Sequence, residues 1–232
     1  MMANWHQFES REGMVAALKS SISERLREAT ASGRRASWAV SGGSTPAPLF
    51  EAMQHEALAW HNIDVALVDE RWVSFDHPRS NEAFVVGALK NGTAATVEIT
   101  GMKTDDATPA QAVETVNKRY SALAKPFDSV LLGLGTDGHT ASLFPGAEGL
   151  DAAFDAHADT CVALTAVRSE VTGDELERMS LSANAIVRSP HVVVMITGAA
   201  KKQVLEAALQ PNSGLPVDRL HMMKQFDVYW AP

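Results

Sequence analysis

The sequence predicts an α/β fold in which a mainly parallel sheet is covered on both faces by helices. Three observations lead there. Unbroken apolar runs at 65–68, 130–134 and 192–196 have strand length and the character of strands buried on two faces. Stretches of helical periodicity separate these runs. Loops rich in glycine and hydroxyl residues follow them, as in parallel sheets that bind ligands beyond their strand ends.

The first helix is expected over 9–30, where Val15, Leu18, Ile22 and Leu26 recur at helical spacing, and Gly33 ends it. A strand follows at 37–40, then the turn 41–46. Pro46 suits the first position of a helix over 46–58, because its missing N–H would be unpaired there anyway. A strand at 63–68, a polar loop at 76–79 and helices at 81–89 and 109–124 come next. Past the strand at 130–134 lies a glycine-rich loop. A strand at 161–167, a segment at 178–182 that reads as strand or helix, a strand at 191–197, a helix at 199–209 and a last strand at 226–229 complete the chain.

At 232 residues the chain has the length of one large domain or two small ones, and 46% hydrophobic residues are ordinary for a globular protein. No repeat, low-complexity tract or strong linker divides it, so 1–232 is expected to be one domain. Twenty basic against 28 acidic residues give a net charge of −8, which argues against a general nucleic-acid or membrane-surface binder. An anionic ligand would then need a local island of positive charge. A single cysteine, Cys161, excludes an intramolecular disulfide and cysteine-rich metal sites. It reads as a small buried strand residue. Residues 1–11 lack an apolar targeting core, and no apolar run approaches ~20 residues. A cytoplasmic protein is expected.

Chemistry is expected in the loops after strands. In Ser41-Gly42-Gly43-Ser44-Thr45-Pro46, glycines bring backbone N–H groups close to a ligand, Ser44 and Thr45 offer hydroxyls, and a helix start adds free donors. This is a candidate phosphate site; the plainer reading is a capped turn. Gly133, Gly135 and Gly138 match G-x-G-x-x-G, but Pro145-Gly146 cuts off the helix that a dinucleotide site requires. Instead Asp137 and His139 flank Gly138 directly after a buried strand. A carboxylate beside an imidazole can orient it as a general base on water, whereas a capping Asp and a structural His is the bland alternative.

Arg71, in Asp69-Glu70-Arg71-Trp72, can stabilise an oxyanion or simply pair with Asp69 or Glu70. His77 reads as a solvated loop residue. Arg178, and Lys201 at the first turn of a helix, are further candidate cations; taken alone each reads as a solvated charge. No His-x-x-x-His or His-Glu-x-x-His pair supports a metal site.

Taken together, these segments resemble the 6-phosphogluconolactonase family. The resemblance rests on the turn 41–46, Val68-Asp69-Glu70-Arg71-Trp72-Val73, Asp76-His77-Pro78-Arg79-Ser80-Asn81 and, most specifically, the segment Leu132 to Gly146. Glu177-Arg178-Met179-Ser180-Leu181-Ser182, Thr197-Gly198-Ala199-Ala200-Lys201, Leu215-Pro216-Val217 and the closing Tyr229-Trp230-Ala231-Pro232 extend it over nearly the whole chain. It implies a three-layer α/β/α fold with a Rossmann-like sheet, and hydrolysis of 6-phospho-D-glucono-1,5-lactone in the oxidative pentose phosphate pathway. The partner is a small sugar-phosphate lactone, with no metal or organic cofactor.

The resemblance places catalytic roles on His139, Asp137 and Arg71. It places phosphate contacts on Gly43, Ser44 and Thr45 and on Arg178 and Lys201. Met-Ser-Leu-Ser follows Arg178 where the family has Ile-Thr-Leu-Thr, a conservative change for a strand. The 168–173 stretch is less regular than the family's, and Arg168 is given no role. Two rivals share parts of this pattern. In glucosamine-6-phosphate deaminases the loop reads Gly-x-Asn-Gly-His-Ile-Ala-Phe-Asn, whereas here Asp137 replaces the Asn and Ala141-Ser142-Leu143-Phe144 follows. A sugar-phosphate sensor would keep Ser44, Thr45 and Lys201 without needing Asp137 and His139, and would usually carry a DNA-binding segment, of which none is visible before Ser37.

Overall fold

The computed structural model describes residues 3–210 and 213–232. In chain order its first elements are β1 (Asn4–Gln7), α1 (Arg11–Ala31), β2 (Ala36–Val40), α2 (Ala47–Met53), β3 (Ile63–Leu67), β4 (Asp69–Arg71), α3 (Asn81–Leu89), β5 (Glu98–Thr100) and α4 (Pro109–Ser121). They are followed by β6 (Ser129–Leu132), α5 (Leu150–Ala153), β7 (Cys161–Thr165), β8 (Glu177–Leu181), α6 (Ala183–Val187), β9 (Val192–Thr197), α7 (Gly198–Ala208), α8 (Pro216–Met223) and β10 (Asp227–Ala231).

Seven strands form one sheet in the order β1-β10-β9-β6-β2-β3-β5, with every pair parallel. β2, β3 and β6 are buried at every position and β9 at all but its last, as an apolar sheet covered on both faces requires. The fold is a three-layer α/β/α arrangement. α1 packs on β2 and β10 and touches α2, which packs in turn on α3, while α7 lies on β9 and β10. No helix among the described residues is long and apolar enough to cross a membrane.

The path of the chain places the site. From β2 it steps outward through β3 to β5, then returns past β2 to β6 and runs the other way through β9 and β10. The direction reverses between β2 and β6, so the loops leaving these strands diverge and open a crevice at their carboxyl ends. Two bonds hold the base of that crevice: Ser41 N–H to the Leu131 carbonyl (3.0 Å) and Gly133 N–H to Ser41 Oγ (3.3 Å).

The structure differs from the sequence expectation in four ways. The edge strands β1 and β5 and the three-residue β4 were not anticipated: they are short and polar or mixed in polarity. The expectation for residues 1–11 lies partly outside the described residues. The helix expected over 46–58 stops at Met53, because Thr93 spends its N–H and hydroxyl (both 2.8 Å) on the Gln54 carbonyl. The helices α5 and α6 are too short for a periodic signal, and α8, which buries Val217 and Leu220, was not anticipated. Finally, the ambiguous segment at 178–182 is a strand, β8. With β4 and β7 it forms a second, antiparallel sheet of three strands. Val68 joins the two sheets, donating its N–H to Val40 (2.9 Å) and accepting at its carbonyl from Leu181 (2.7 Å). Cys161 is fully buried in β7, and burial pushes its thiol up, out of reach of ionisation near neutral pH.

His191, 3% exposed just before β9, faces Ser129 Oγ (3.0 Å) and Ser21 Oγ (3.5 Å). Burial above all, with Arg25, His6 and Lys224 adding and Asp227 opposing, lowers its pKa to about 4. Its folded-state value thus lies below its unfolded one. The stability it confers is complete above pH 6.5 and is lost as pH falls toward 4, by up to ~3 kcal/mol. Urea titrations at pH 7 and 4.5 should therefore show a shallower acid loss in His191→Gln than in the parent. Equal losses would refute this account.

Candidate active site

A cavity of about 490 Å³ opens at the crevice. Its wall comes from the turn after β2, from β4, the loop after β6, the start of α3, β8 and the first turn of α7. Of the residues singled out in the sequence, Gly43, Ser44, Thr45, Arg71, His139, Arg178 and Lys201 all line it, and Asp137 stands directly behind His139.

The loop after β6 is built around one pair. His139 Nδ1 lies 2.5 Å from Asp137 Oδ1, and the same oxygen accepts the His139 backbone N–H at 3.2 Å. A carboxylate accepts only, so Nδ1 carries a hydrogen, and in the neutral ring Nε2 is the nitrogen that can accept a proton. Burial pushes the Asp137 carboxyl up, but its bonds to His139 outweigh this and hold it below its usual value. The loop closes through Gly135 N–H to the His139 carbonyl (2.8 Å) and Thr140 Oγ1 to the Gly133 carbonyl (2.9 Å). Phe144 packs on the imidazole with ring centroids 4.0 Å apart.

This geometry accounts for two of the three glycines without a dinucleotide. A Cβ on Gly135 would sit 1.9 Å from His139 Nδ1 and 2.5 Å from Asp137 Oδ1. Gly138 has φ +80° and backs onto Leu215. Gly133 meets no such constraint. Ala141, two residues past the imidazole, also has a positive φ of 50°, a strained value for a residue with a Cβ.

The cations divide into two groups. In the small sheet Arg71 stands directly opposite Arg178, a like-charge cross-strand pair that is unfavourable without an anion between or above it. Arg178 is 1% exposed and its Nε has no partner; burial lowers its pKa to about 10, with Arg71 and Arg79 adding and Asp69 and Glu175 opposing. Lys201 is on the other side, beside the dyad, donating from Nζ to the Leu134 carbonyl. Burial lowers its pKa and Asp137 opposes that shift.

Arg79, Asn81 and Asp69 also line the cavity and were not assigned roles from the sequence. Arg79 pairs with Glu175 and donates to the Thr172 carbonyl (3.1 Å). The local sequence signal here is a helix cap: Ser80 Oγ accepts from Ala83 N–H at 3.1 Å, which starts α3 and turns Asn81 inward. Two residues stay outside. His77 is half-buried, its Nδ1 accepting from Arg79 N–H (3.2 Å), and Arg168 is exposed and paired with Asp174. Among the described residues no three His, Cys, Asp or Glu side chains converge as a metal-ligand set.

A parallel α/β sheet with a carboxylate-oriented imidazole in a cation-lined crevice defines an enzyme-like site for an anionic substrate. Comparison makes the class specific. The profile of the family described as glucosamine-6-phosphate isomerases/6-phosphogluconolactonase matches residues 9–230, and the chain belongs to that family. A 6-phosphogluconolactonase from Rhizobium meliloti is 34% identical over 236 residues, covering 100% of both chains. One from Caulobacter vibrioides is 37% identical over 210 residues, covering 90% of this chain and 88% of its own. The crystal structure of a 6-phosphogluconolactonase from Shewanella baltica superposes with a TM-score of 0.91 at 30% identity, covering 100% of this chain and 98% of that one.

Proposed function

We propose that this chain, acting as one unit over 1–232 in the cytoplasm, hydrolyses 6-phospho-D-glucono-1,5-lactone to 6-phospho-D-gluconate in the oxidative pentose phosphate pathway. The observation that carries this reading is the Asp137–His139 pair, whose second ring nitrogen is free to accept a proton beside a cavity lined by four cations. Water adds to the lactone carbonyl as His139 Nε2 takes its proton. Asp137 fixes the ring and stabilises the imidazolium. Negative charge develops on the carbonyl oxygen, where Arg71 stabilises it. Collapse breaks the bond from C1 to the ring oxygen, and the imidazolium returns the proton to that leaving oxygen. Gly43, Ser44 and Thr45 with Arg178 and Lys201 hold the phosphate, so that remote binding energy positions the reacting carbon.

The experiment is a coupled assay on freshly generated lactone, with spontaneous hydrolysis subtracted. Lactone hydrolysis is expected, with no ammonia from glucosamine 6-phosphate, whose deamination needs a carboxylate to move a carbon-bound proton. Prolonged chelation is expected to leave activity intact. Ammonia release at a comparable rate would move the chain to the deaminase branch of its family.

A further inference from the structure

The cation assigned to the developing oxyanion is held by a residue that the mechanism above does not use. Asn81, 4% exposed, is the first residue of α3. Its Oδ1 accepts from Arg71 Nη1 at 2.5 Å, and Nη1 also donates to the Arg79 carbonyl at 3.1 Å. Its Nδ2 donates to the Asp69 carbonyl (2.9 Å), with the Asp69 carboxylate at 3.4 Å. Chemistry fixes the direction of this amide: one end faces only acceptors and the other a guanidinium.

The backbone of the same residue is fixed too. Glu70 Oε1 accepts the N–H groups of both Arg71 and Asn81 at 2.8 Å, tying the end of β4 to the start of α3 through one oxygen. Its Oε2 takes Glu82 N–H (2.8 Å) and Ser80 Oγ (3.2 Å). On its far side the amide presses on the candidate phosphate turn. A Cβ on Gly42 would lie 2.2 Å from Asn81 Oδ1 and 2.6 Å from Cγ. Gly42 therefore answers to a side chain about forty residues away, and the amide is wedged between the turn and the arginine.

We propose that Asn81 is a positioning residue: its amide sets the Arg71 guanidinium at a fixed place relative to the turn at 42–45. Among the described residues both acceptors of the guanidinium take Nη1, which leaves Nε and Nη2 available to the cavity that Arg71 lines. A substrate held by its phosphate at the turn then meets the cation at one distance only, which serves the transition state rather than initial binding. This inference rests on the lactonase reading for its kinetic consequence.

The test is a double-mutant cycle with a second readout that does not need turnover. Asn81→Ala is expected to lower kcat on the lactone by ~10–100-fold with KM changed less than about threefold. In an Arg71→Ala background the same change should cost almost nothing, because its effect runs through the arginine. Asn81→Asp supplies a pH signature: as a neutral acid it can donate to Asp69 and accept from Arg71 as the amide does, so its kcat relative to the parent should recover as pH falls. The independent readout is ¹⁵N NMR of the arginine side chains, in which Asn81→Ala should free Arg71 from restricted rotation. Full loss in both backgrounds, or an unchanged Arg71 signal, would overturn the proposal. A parent that does not open the lactone, yet shows the NMR change, would overturn the lactonase reading and leave the positioning role standing.

Discussion

Replacing His139 by alanine is expected to lower kcat by ~10²–10⁴-fold, the range typical of general acid–base groups. The affinity for 6-phosphogluconate should change by only a few fold. The split follows from the geometry. Asp137 engages Nδ1 at 2.5 Å, so the ring nitrogen left for proton transfer is Nε2, and among the described residues no other imidazole lines the cavity. Recognition of the phosphate is assigned to other elements, the turn after β2, β8 and α7, which the substitution does not touch. Asp137→Asn should be slower than the parent as well, because an amide can place N–H against Nδ1 and select the wrong tautomer. A folded His139→Ala enzyme with near-normal turnover, after subtraction of spontaneous hydrolysis, would remove His139 from the mechanism.

The dyad was readable in the sequence because its parts are local. Asp137 and His139 are two residues apart across a glycine, directly after a buried strand, and the rule that ligands sit beyond the strand ends pointed to that loop. The turn at 41–46 and Lys201 were readable on the same logic. Arg71 and Arg178 were candidates too, but their pairing, which depends on tertiary register, was not readable. Arg71 faces Arg178 only because a three-residue strand pairs antiparallel with β8, whose sequence Glu-Arg-Met-Ser-Leu fits strand or helix equally well. Asn81 and Arg79 sit in a segment that looks like an ordinary helix start, and nothing local says that the helix points its first turn into the cavity. The glycines were visible but their reasons were not: Gly135 is required by an imidazole four residues ahead and Gly42 by an amide in another element. Steric demands of this kind become legible only once the chain is folded.

Arg178→Met is expected to weaken binding of 6-phosphogluconate by ~10–150-fold, the equivalent of losing charge-assisted bonds of ~1.5–3 kcal/mol. The same variant should be at least as stable as the parent. These opposite signs come from one observation. Arg178 is a buried charge whose hydrogen bonds among the described residues go to no carboxylate. Its Nη atoms reach only the backbone carbonyls of Glu177 and Thr172, both at 3.2 Å, and its Nε is unpaired. Asp69 and Glu175 attract it only from beyond ion-pair range, and Arg71 and Arg79 repel it. Such a group costs stability wherever nothing negative joins it, and replacing buried charge by an apolar side chain of similar volume is commonly neutral or favourable. Methionine fits that description and keeps a contact with the Phe144 ring over which the guanidinium now lies at 5.7 Å. If the phosphate is the missing partner, the parent should prefer 6-phosphogluconate to gluconate strongly and the variant much less, because both ligands share everything but the phosphate. Calorimetric titration with the two ligands measures this preference, and thermal unfolding of the ligand-free proteins measures the cost. A variant that keeps the full preference, or one that loses several kcal/mol of stability while binding normally, would make Arg178 a structural residue instead.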